Sequence, residues 1–361
     1  MNTTHALHDL GQSLWLDNIS RAMLDDGTLR RYIDEFSITG LTSNPTIFDA
    51  AIGGTAAYDV GIRTKAAAGK SGETLFTELA LEDLRRAADL FRPVHDATDG
   101  VDGWVSMEVS PLLAGDTAGT IAAARRVHGQ ADRPNLYVKI PGTPAGIPAI
   151  EQSIFDGVPI NVTLLFSREQ YLAAAEAYLR GLERRIAAGR DPRIASVASL
   201  FVSRWDKAAG ADAPAQLRNR LGIAIARRTY RAYRELLASP RWRKLAASGA
   251  RPQRLLWAST GTKDPGAPDT LYVAALAAPD TIDTMPEKTL RALAALPRLD
   301  GVMAEDGGDA ETVLAAFAAA GIDTQALAER LQREGTDAFV TSWNQLLGRI
   351  ADKSRALAHA G

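Results

Sequence analysis

Eight short runs rich in β-branched and aliphatic residues punctuate the chain between residues 14 and 286, each separated from the next by a stretch of helix-forming composition. The runs are LWLDNIS (14–20), SITGLTS (37–43), GWVSMEV (103–109), NLYVKIP (135–141), VPINVTLLF (158–166), ASVASLFVS (195–203), RLLWAST (254–260) and DTIDTMP (280–286). Parallel strands need long crossovers, usually helical, so this alternation predicts repeated βα units around a parallel sheet. Eight units are the number that closes a (β/α)8 TIM barrel, expected over about residues 14–297. After Pro286 the pattern is helical only, and a C-terminal helical extension over about 298–361 is expected to pack outside the barrel. At 361 residues the chain has room for one large barrel or two average domains. No linker-like composition separates the tail, so a single domain is expected.

The crossovers carry local signals of their own. Ser167 followed by Gln170 forms a capping box that opens a helix through about Ala188, and Leu217 to Leu237 shows apolar residues at helical spacing among arginines. Those arginines, from Arg218 to Arg243, are interleaved with glutamate and apolar residues, and read as a solvated helix face rather than an RNA-binding patch.

Composition removes several classes of function. The formal net charge is −2 with both signs interspersed, so nothing calls for nucleic acid or an anionic membrane. The chain has no cysteine, which excludes disulfides, thiolate metal sites and thiol nucleophiles, and fits a reducing cytoplasm. Its first residues lack a basic segment followed by an apolar one, and no run of about 18 apolar residues occurs, so a cytoplasmic protein is expected. The histidines at 5, 8, 95, 128 and 359 have no metal-ligand spacing, no GxGxxG follows a strand, and neither metal nor cofactor is expected. AAAGKSG around Lys70 imitates the end of a phosphate-binding loop, but the first glycine of that motif would fall on Thr64 and no strand precedes it.

The chemistry lies in polar residues placed within or just beyond apolar strands: Asp17, Asn44, Glu108, Lys139, Asn161, Thr163, Ser199, Arg204 and Ser259, with Lys263 on the loop after the seventh strand. In a barrel such residues converge at the carboxyl ends of the strands. Lys139 carries the most information. An inward strand lysine is poorly solvated as an ammonium unless paired or deprotonated, and a neutral amine condenses with a ketone to form a Schiff base. The bland alternative is a lysine that snorkels outward between helices. Glu108 and Asp17, each alone, are more often carboxylates that bond a strand-end loop than catalytic acids. Beside a Schiff-base lysine they supply what carbon–carbon cleavage through an iminium requires, a base for the C4 hydroxyl and a proton carrier for the carbinolamine. Asn44 precedes Pro45 and suits a strand-exit turn as well as a substrate amide. Asn161 and Thr163 share one strand face, where Thr163 is placed to hold a water, although core hydrogen bonding explains both. Arg204, Ser259 and Lys263 follow strands six and seven, where barrels commonly bind phosphate.

The motifs WLDNISRAML, GLTSNPTIF, VSMEVSP, YVKIPGT, INVTLLFS, FVSRWD and LWASTGTKDP, in that order over nearly the whole chain, resemble transaldolase, in particular the longer bacterial subfamily with an added C-terminal helical region. The resemblance implies a cofactor-free barrel. It implies transfer of dihydroxyacetone between sedoheptulose 7-phosphate or fructose 6-phosphate and glyceraldehyde 3-phosphate or erythrose 4-phosphate, in the non-oxidative pentose phosphate pathway. Sugar phosphates are then the only partners expected besides a second copy of the chain, as monomer or homodimer. Lys139 matches the Schiff-base lysine, Asp17 the acid/base for bond cleavage, and Glu108 with Thr163 the pair holding the catalytic water. Asn44, Asn161 and Ser199 match contacts to substrate hydroxyls, and Arg204 and Ser259 match phosphate ligands. One position departs from the pattern: shorter family members have an arginine two residues after the serine matched by Ser259, where this chain has Gly261, and Lys263 is the residue to which that role passes. Some longer relatives carry a fused phosphoglucose isomerase domain, for which this chain has no expected counterpart. A stand-alone class I aldolase acting on fructose 6-phosphate or deoxyribose phosphate shares the barrel and lysine, and a non-catalytic sugar-phosphate-binding barrel remains a further alternative.

Overall fold

A computed structural model describes residues 2–210, 213–299 and 301–359. Asp300, Ala360 and Gly361 of the expected extension lie outside the described residues. The eight apolar runs become strands β1 (Ser13–Leu16), β2 (Ile38–Leu41), β3 (Trp104–Glu108), β4 (Leu136–Pro141), β5 (Ile160–Leu165), β6 (Ser196–Phe201), β7 (Gln253–Ala258) and β8 (Thr281–Met285). They pair in sequence order and all in parallel, and β8 returns to β1, so the sheet closes into a (β/α)8 barrel. Every expected run holds its strand. The observed strands are shorter than the runs at several ends because the polar residues there, such as Asp17 and Ser43, have left the ladder for the mouth of the barrel.

The lower barrel is filled by aromatic rings. Trp104 stacks on Tyr137 at 4.0 Å between centroids, and Trp15 lies 6.1 Å from Tyr137 with its indole N–H donating to Asp102 at 2.9 Å. The ring of Trp15 fits only because β2 presents Gly40, where a Cβ would stand 2.6 Å from Trp15 Nε1 and 2.7 Å from the Trp104 carbonyl oxygen. This packed aromatic layer closes the barrel beneath the polar groups at its upper, C-terminal end.

The capped helix runs Arg168–Ala187, with Ser167 accepting from the Gln170 N–H at 3.2 Å. The reciprocal bond reaches back one residue further than a capping box requires, from the Phe166 N–H to the Gln170 carboxamide oxygen at 2.7 Å. The arginine-rich helix is Leu221–Ala238, and Leu217 belongs to the short 3-10 turn before it. Its arginines pair with acids, Arg220 and Arg227 with Asp309, Arg228 with Glu311, and Arg234 with Asp280 and Glu305, as a solvated face should. Lys70 pairs with Glu78 at the start of a long helix, Gly72–Ala97, and no phosphate loop forms there. No described helix is long and apolar enough to cross a membrane.

The tail ends in one long helix, Thr324–His359. It packs outside the strands, crosses helix Pro45–Gly54 and passes beside the barrel mouth. Trp343 meets Phe76 edge-on at 5.2 Å, and Arg349 and Lys353 pair with Asp49 and Asp59. Apolar packing and ion pairs thus hold this helix close to the carboxyl ends of the strands.

Candidate active site

A cavity of about 300 Å³ opens at the carboxyl ends of the strands, and Asp17, Asn44, Lys139, Thr163, Ser199, Arg204, Ser259 and Lys263 line it. Glu108 and Asn161 are not on its wall. They are buried beside it, 8% and 0% exposed, in register with Lys139 on either side. All ten residues singled out in the sequence therefore gather at one place.

Strand pleating explains the convergence, since residues two apart share a face. On β3 that face carries Trp104, Ser106 and Glu108, on β4 Tyr137 and Lys139, and on β5 Asn161 and Thr163. Lys139 is paired in register with Glu108 on one side and Asn161 on the other. Its Nζ donates to the Ser43 carbonyl oxygen at 3.0 Å and lies 3.5 Å from Glu108 Oε2. The lysine is 5% exposed, so the outward, snorkelling alternative does not apply. Burial pushes the Glu108 carboxyl above its ordinary range; Lys139 pulls it down, the Asp17 charge adds to the rise, and Arg204 opposes it. Glu108 Oε2 and the Thr163 hydroxyl are both buried with no hydrogen-bond partner among the described residues, and a water between such groups meets the needs of each.

Asp17 stands just past β1 and accepts from the Thr42 hydroxyl at 2.8 Å. Thr42 in turn lies 2.7 Å from the hydroxyl of Thr284 on β8; with its own proton committed to Asp17, Thr42 accepts from Thr284. Desolvation raises the Asp17 carboxyl above its ordinary range, against the opposing Thr42 hydrogen bond and the charges of Lys139, Lys263 and Arg204. A carboxylate raised in this way is a stronger base toward a hydroxyl.

Asn44 caps helix Pro45–Gly54: its Oδ1 accepts from the Ile47 N–H at 3.1 Å, and Pro45 occupies the first helical position. The turn role and the substrate role are therefore compatible, because the cap uses the oxygen and leaves the amide N–H groups free. Beside the lysine, Ser199 donates to Asn161 Oδ1 at 2.7 Å and Asn161 Nδ2 donates to Ser106 at 3.2 Å, an ordered chain of polar groups.

Arg204, one residue into the short helix Ser203–Ala209 after β6, stacks its guanidinium over Phe201 at 5.0 Å and lies 5.9 Å from Phe339. Glu108 and Asp17 act on it through charge alone, without a hydrogen bond, and its planar fork is available to an anion. Ser259 adopts a left-handed backbone, φ 56°, and its hydroxyl lies 3.0 Å from that of Ser203. A Cβ at Gly261 would stand 3.8 Å from Lys263 Nζ, so the lysine ammonium reaches the space that a side chain at position 261 would enter.

The cavity wall also includes residues not singled out in the sequence, among them Thr42, Thr284, Phe201 and Phe339. Thr42 and Thr284 obey the same rule as the others, polar residues at the ends of apolar strands, and were legible on that ground. Phe201 looks like any apolar strand residue. Phe339 comes from the long C-terminal helix, and no pattern in the sequence brings that helix to the cavity.

A closed parallel barrel whose ionisable groups meet above a packed core, with a buried lysine beside a buried carboxylate, defines a barrel enzyme of lysine–carboxylate chemistry. Residues 14–350 match the model of the family described as transaldolase/fructose-6-phosphate aldolase. The chain is 47% identical to a transaldolase of Thermobifida fusca, an alignment that covers 97% of this chain and 98% of that one. It is 46% identical to a transaldolase of an Arthrobacter species, over 99% and 98% of the two chains, and 40% identical to a Nostoc punctiforme protein named transaldolase 2, over 99% and 100%. The chain belongs to the transaldolase/fructose-6-phosphate aldolase family.

Proposed function

We propose that this protein is a transaldolase, acting in the cytoplasm as a single barrel domain whose C-terminal helices border the site. The observation that carries the reading is the buried Lys139–Glu108 pair at 3.5 Å on the floor of a polar cavity. The Lys139 amine adds to the C2 ketone of fructose 6-phosphate or sedoheptulose 7-phosphate. Loss of water from the carbinolamine, with Glu108 and a water held by Thr163 carrying protons, gives the iminium. Asp17 takes the proton of the C4 hydroxyl, the C3–C4 bond breaks, and its electrons flow into the iminium to leave an enamine on Lys139. The aldose phosphate departs. C3 of the enamine then attacks the aldehyde of the acceptor, glyceraldehyde 3-phosphate or erythrose 4-phosphate, Asp17 returns its proton to the new C4 oxygen, and hydrolysis frees the amine.

Asn44 and Ser199 face the sugar hydroxyls from the cavity wall, and Asn161 accepts a hydrogen bond from Ser199. Arg204, Ser259 and Lys263 form the phosphate end, where a guanidinium fork and a point charge meet a dianion. The oligomeric state, monomer or homodimer, leaves this chemistry unchanged, since every group named comes from one chain.

Acceptor dependence tests the activity. With fructose 6-phosphate alone turnover is slow, because the enamine waits on Lys139; with erythrose 4-phosphate added, sedoheptulose 7-phosphate forms rapidly. Release of free dihydroxyacetone at the same rate with or without acceptor contradicts the transferase reading and favours the fructose 6-phosphate aldolase activity that the family description also names.

A further inference from the structure

The Thr163 hydroxyl is fully buried and has no hydrogen-bond partner among the described residues, so no direct hydrogen bond fixes it and the course of its backbone bears on where it points. That backbone is irregular. Leu164, the next residue, has φ 58°, a left-handed conformation that a non-glycine residue holds only where its surroundings impose it. The pairing of β5 with β6 shifts register between Val162 and Leu165, and bulges of this kind re-aim side chains beside active sites.

Three hydrogen bonds hold the irregular segment. The Gly142 N–H, just past β4, donates to the Thr163 carbonyl oxygen at 2.8 Å. The carboxamide nitrogen of Gln332 then donates to the carbonyl oxygens of Gly142 and Leu164, at 3.0 Å each. One side chain thus ties the strand end after Lys139 to the turn after Thr163. Gln332 lies on the C-terminal helix with Gly335 and Phe339 on the same stripe, three and seven residues on. A Cβ at Gly335 would stand 3.0 Å from Leu164 Cδ2 and 3.2 Å from Arg204 Nη1, so the helix packs as closely as glycine allows and Gln332 is held within reach.

We propose that Gln332 is a positioning residue: by pinning the Gly142 and Leu164 carbonyls it holds the bulge that aims the Thr163 hydroxyl into the cavity beside Lys139. The inference rests on the reading of Thr163 as the residue that holds the reacting water. It assigns the C-terminal helix a part in the chemistry as well as in the wall of the site.

Gln332→Met keeps volume and helix propensity while removing both donors. It is expected to lower kcat about 10- to 100-fold, the scale of a small misplacement of a reacting group, with KM for fructose 6-phosphate changed by less than about twofold. Gln332→Glu, isosteric and without donors when ionised, repeats the loss. If Gln332 works through Thr163, the double variant Gln332→Met, Thr163→Ala loses no more kcat than Thr163→Ala alone. Losses that multiply overturn the proposal and leave the reading of Thr163 standing. An unchanged kcat in Thr163→Ala overturns both. Failure of both Gln332 variants to fold, judged by circular dichroism melts, assigns the residue to stability and overturns the positioning role.

Discussion

Glu108 and Lys139 are register partners on adjacent strands, and the Glu108 carboxylate oxygen stands 3.5 Å from the Lys139 nitrogen with both side chains buried. Desolvation raises the Glu108 carboxyl above its ordinary range, and in the proposed mechanism it carries the protons of adduct formation at Lys139. Glu108→Gln removes the carrier while keeping shape. Formation of the Lys139 adduct with fructose 6-phosphate should slow by about 10²- to 10⁴-fold, as for loss of general acid–base catalysis, with cleavage of the adduct affected less. Rapid-quench borohydride trapping follows both steps; an adduct that forms at the normal rate removes Glu108 from this role.

Asp17 occupies the opposite role. Its carboxyl is bonded to Thr42 and raised by burial, and in the proposed mechanism it is the base for the C4 hydroxyl. Asp17→Asn should still condense with fructose 6-phosphate but cleave it poorly, so the trapped adduct carries all the sugar carbons. Mass analysis that finds only the three-carbon unit at a wild-type rate shows that another group takes the proton.

The proposed phosphate end gives a sharper test, because Gly261 stands where the resemblance places an arginine in the shorter family members. Losing a hydrogen bond to a charged group costs roughly 1.5–3 kcal/mol, or about 10- to 150-fold. Lys263→Ala should lose about that factor in kcat/KM for fructose 6-phosphate with little change for free fructose. Arg204→Ala should lose more, since a planar fork stacked on Phe201 makes two bonds to a phosphate where a lysine makes one. An unchanged ratio of phosphorylated to free sugar in Lys263→Ala leaves the phosphate to Arg204, Ser259 and backbone amides.

Asp283, on β8 and wholly buried, supplies a pH signature separate from catalysis. Desolvation raises its carboxyl to about 7, against a hydrogen bond from Thr260 at 2.9 Å. Between its ordinary value of 3.8 and about 7 the folded state binds this proton and the unfolded state does not. Stability from this site is therefore full at the acid end and is lost as pH rises through about 7. Asp283→Asn should flatten the fall in Tm between pH 5.5 and 7.5, measured by calorimetry; an identical slope in the variant contradicts the assignment.

Strand runs around Lys139, Thr163 and Ser199 were legible because apolar residues must enclose a barrel while catalytic residues interrupt them at one end. The same rule reached Thr42 and Thr284 in principle, yet it cannot tell a substrate ligand from a hydroxyl that positions Asp17, a distinction set by neighbours far apart in sequence. Phe339 and Gln332 were illegible for a different reason. Their spacing on an amphipathic helix fits any packing partner, and only the closed fold decides that the helix crosses helix Pro45–Gly54 and meets the carbonyls of Gly142 and Leu164. Asp283 reads as one more polar residue on a strand, and its full burial and its contact with Thr260 are set only by the closed fold.

Borohydride reduction in the presence of fructose 6-phosphate, followed by peptide mass analysis, tests the central claim most directly. Only a reactive amine forms the reducible iminium, so a three-carbon addition is expected on the peptide that contains Lys139, and none in Lys139→Arg, whose guanidinium stays charged and cannot condense with a ketone. Labelling of another lysine, or no labelling of a folded and active enzyme, contradicts it.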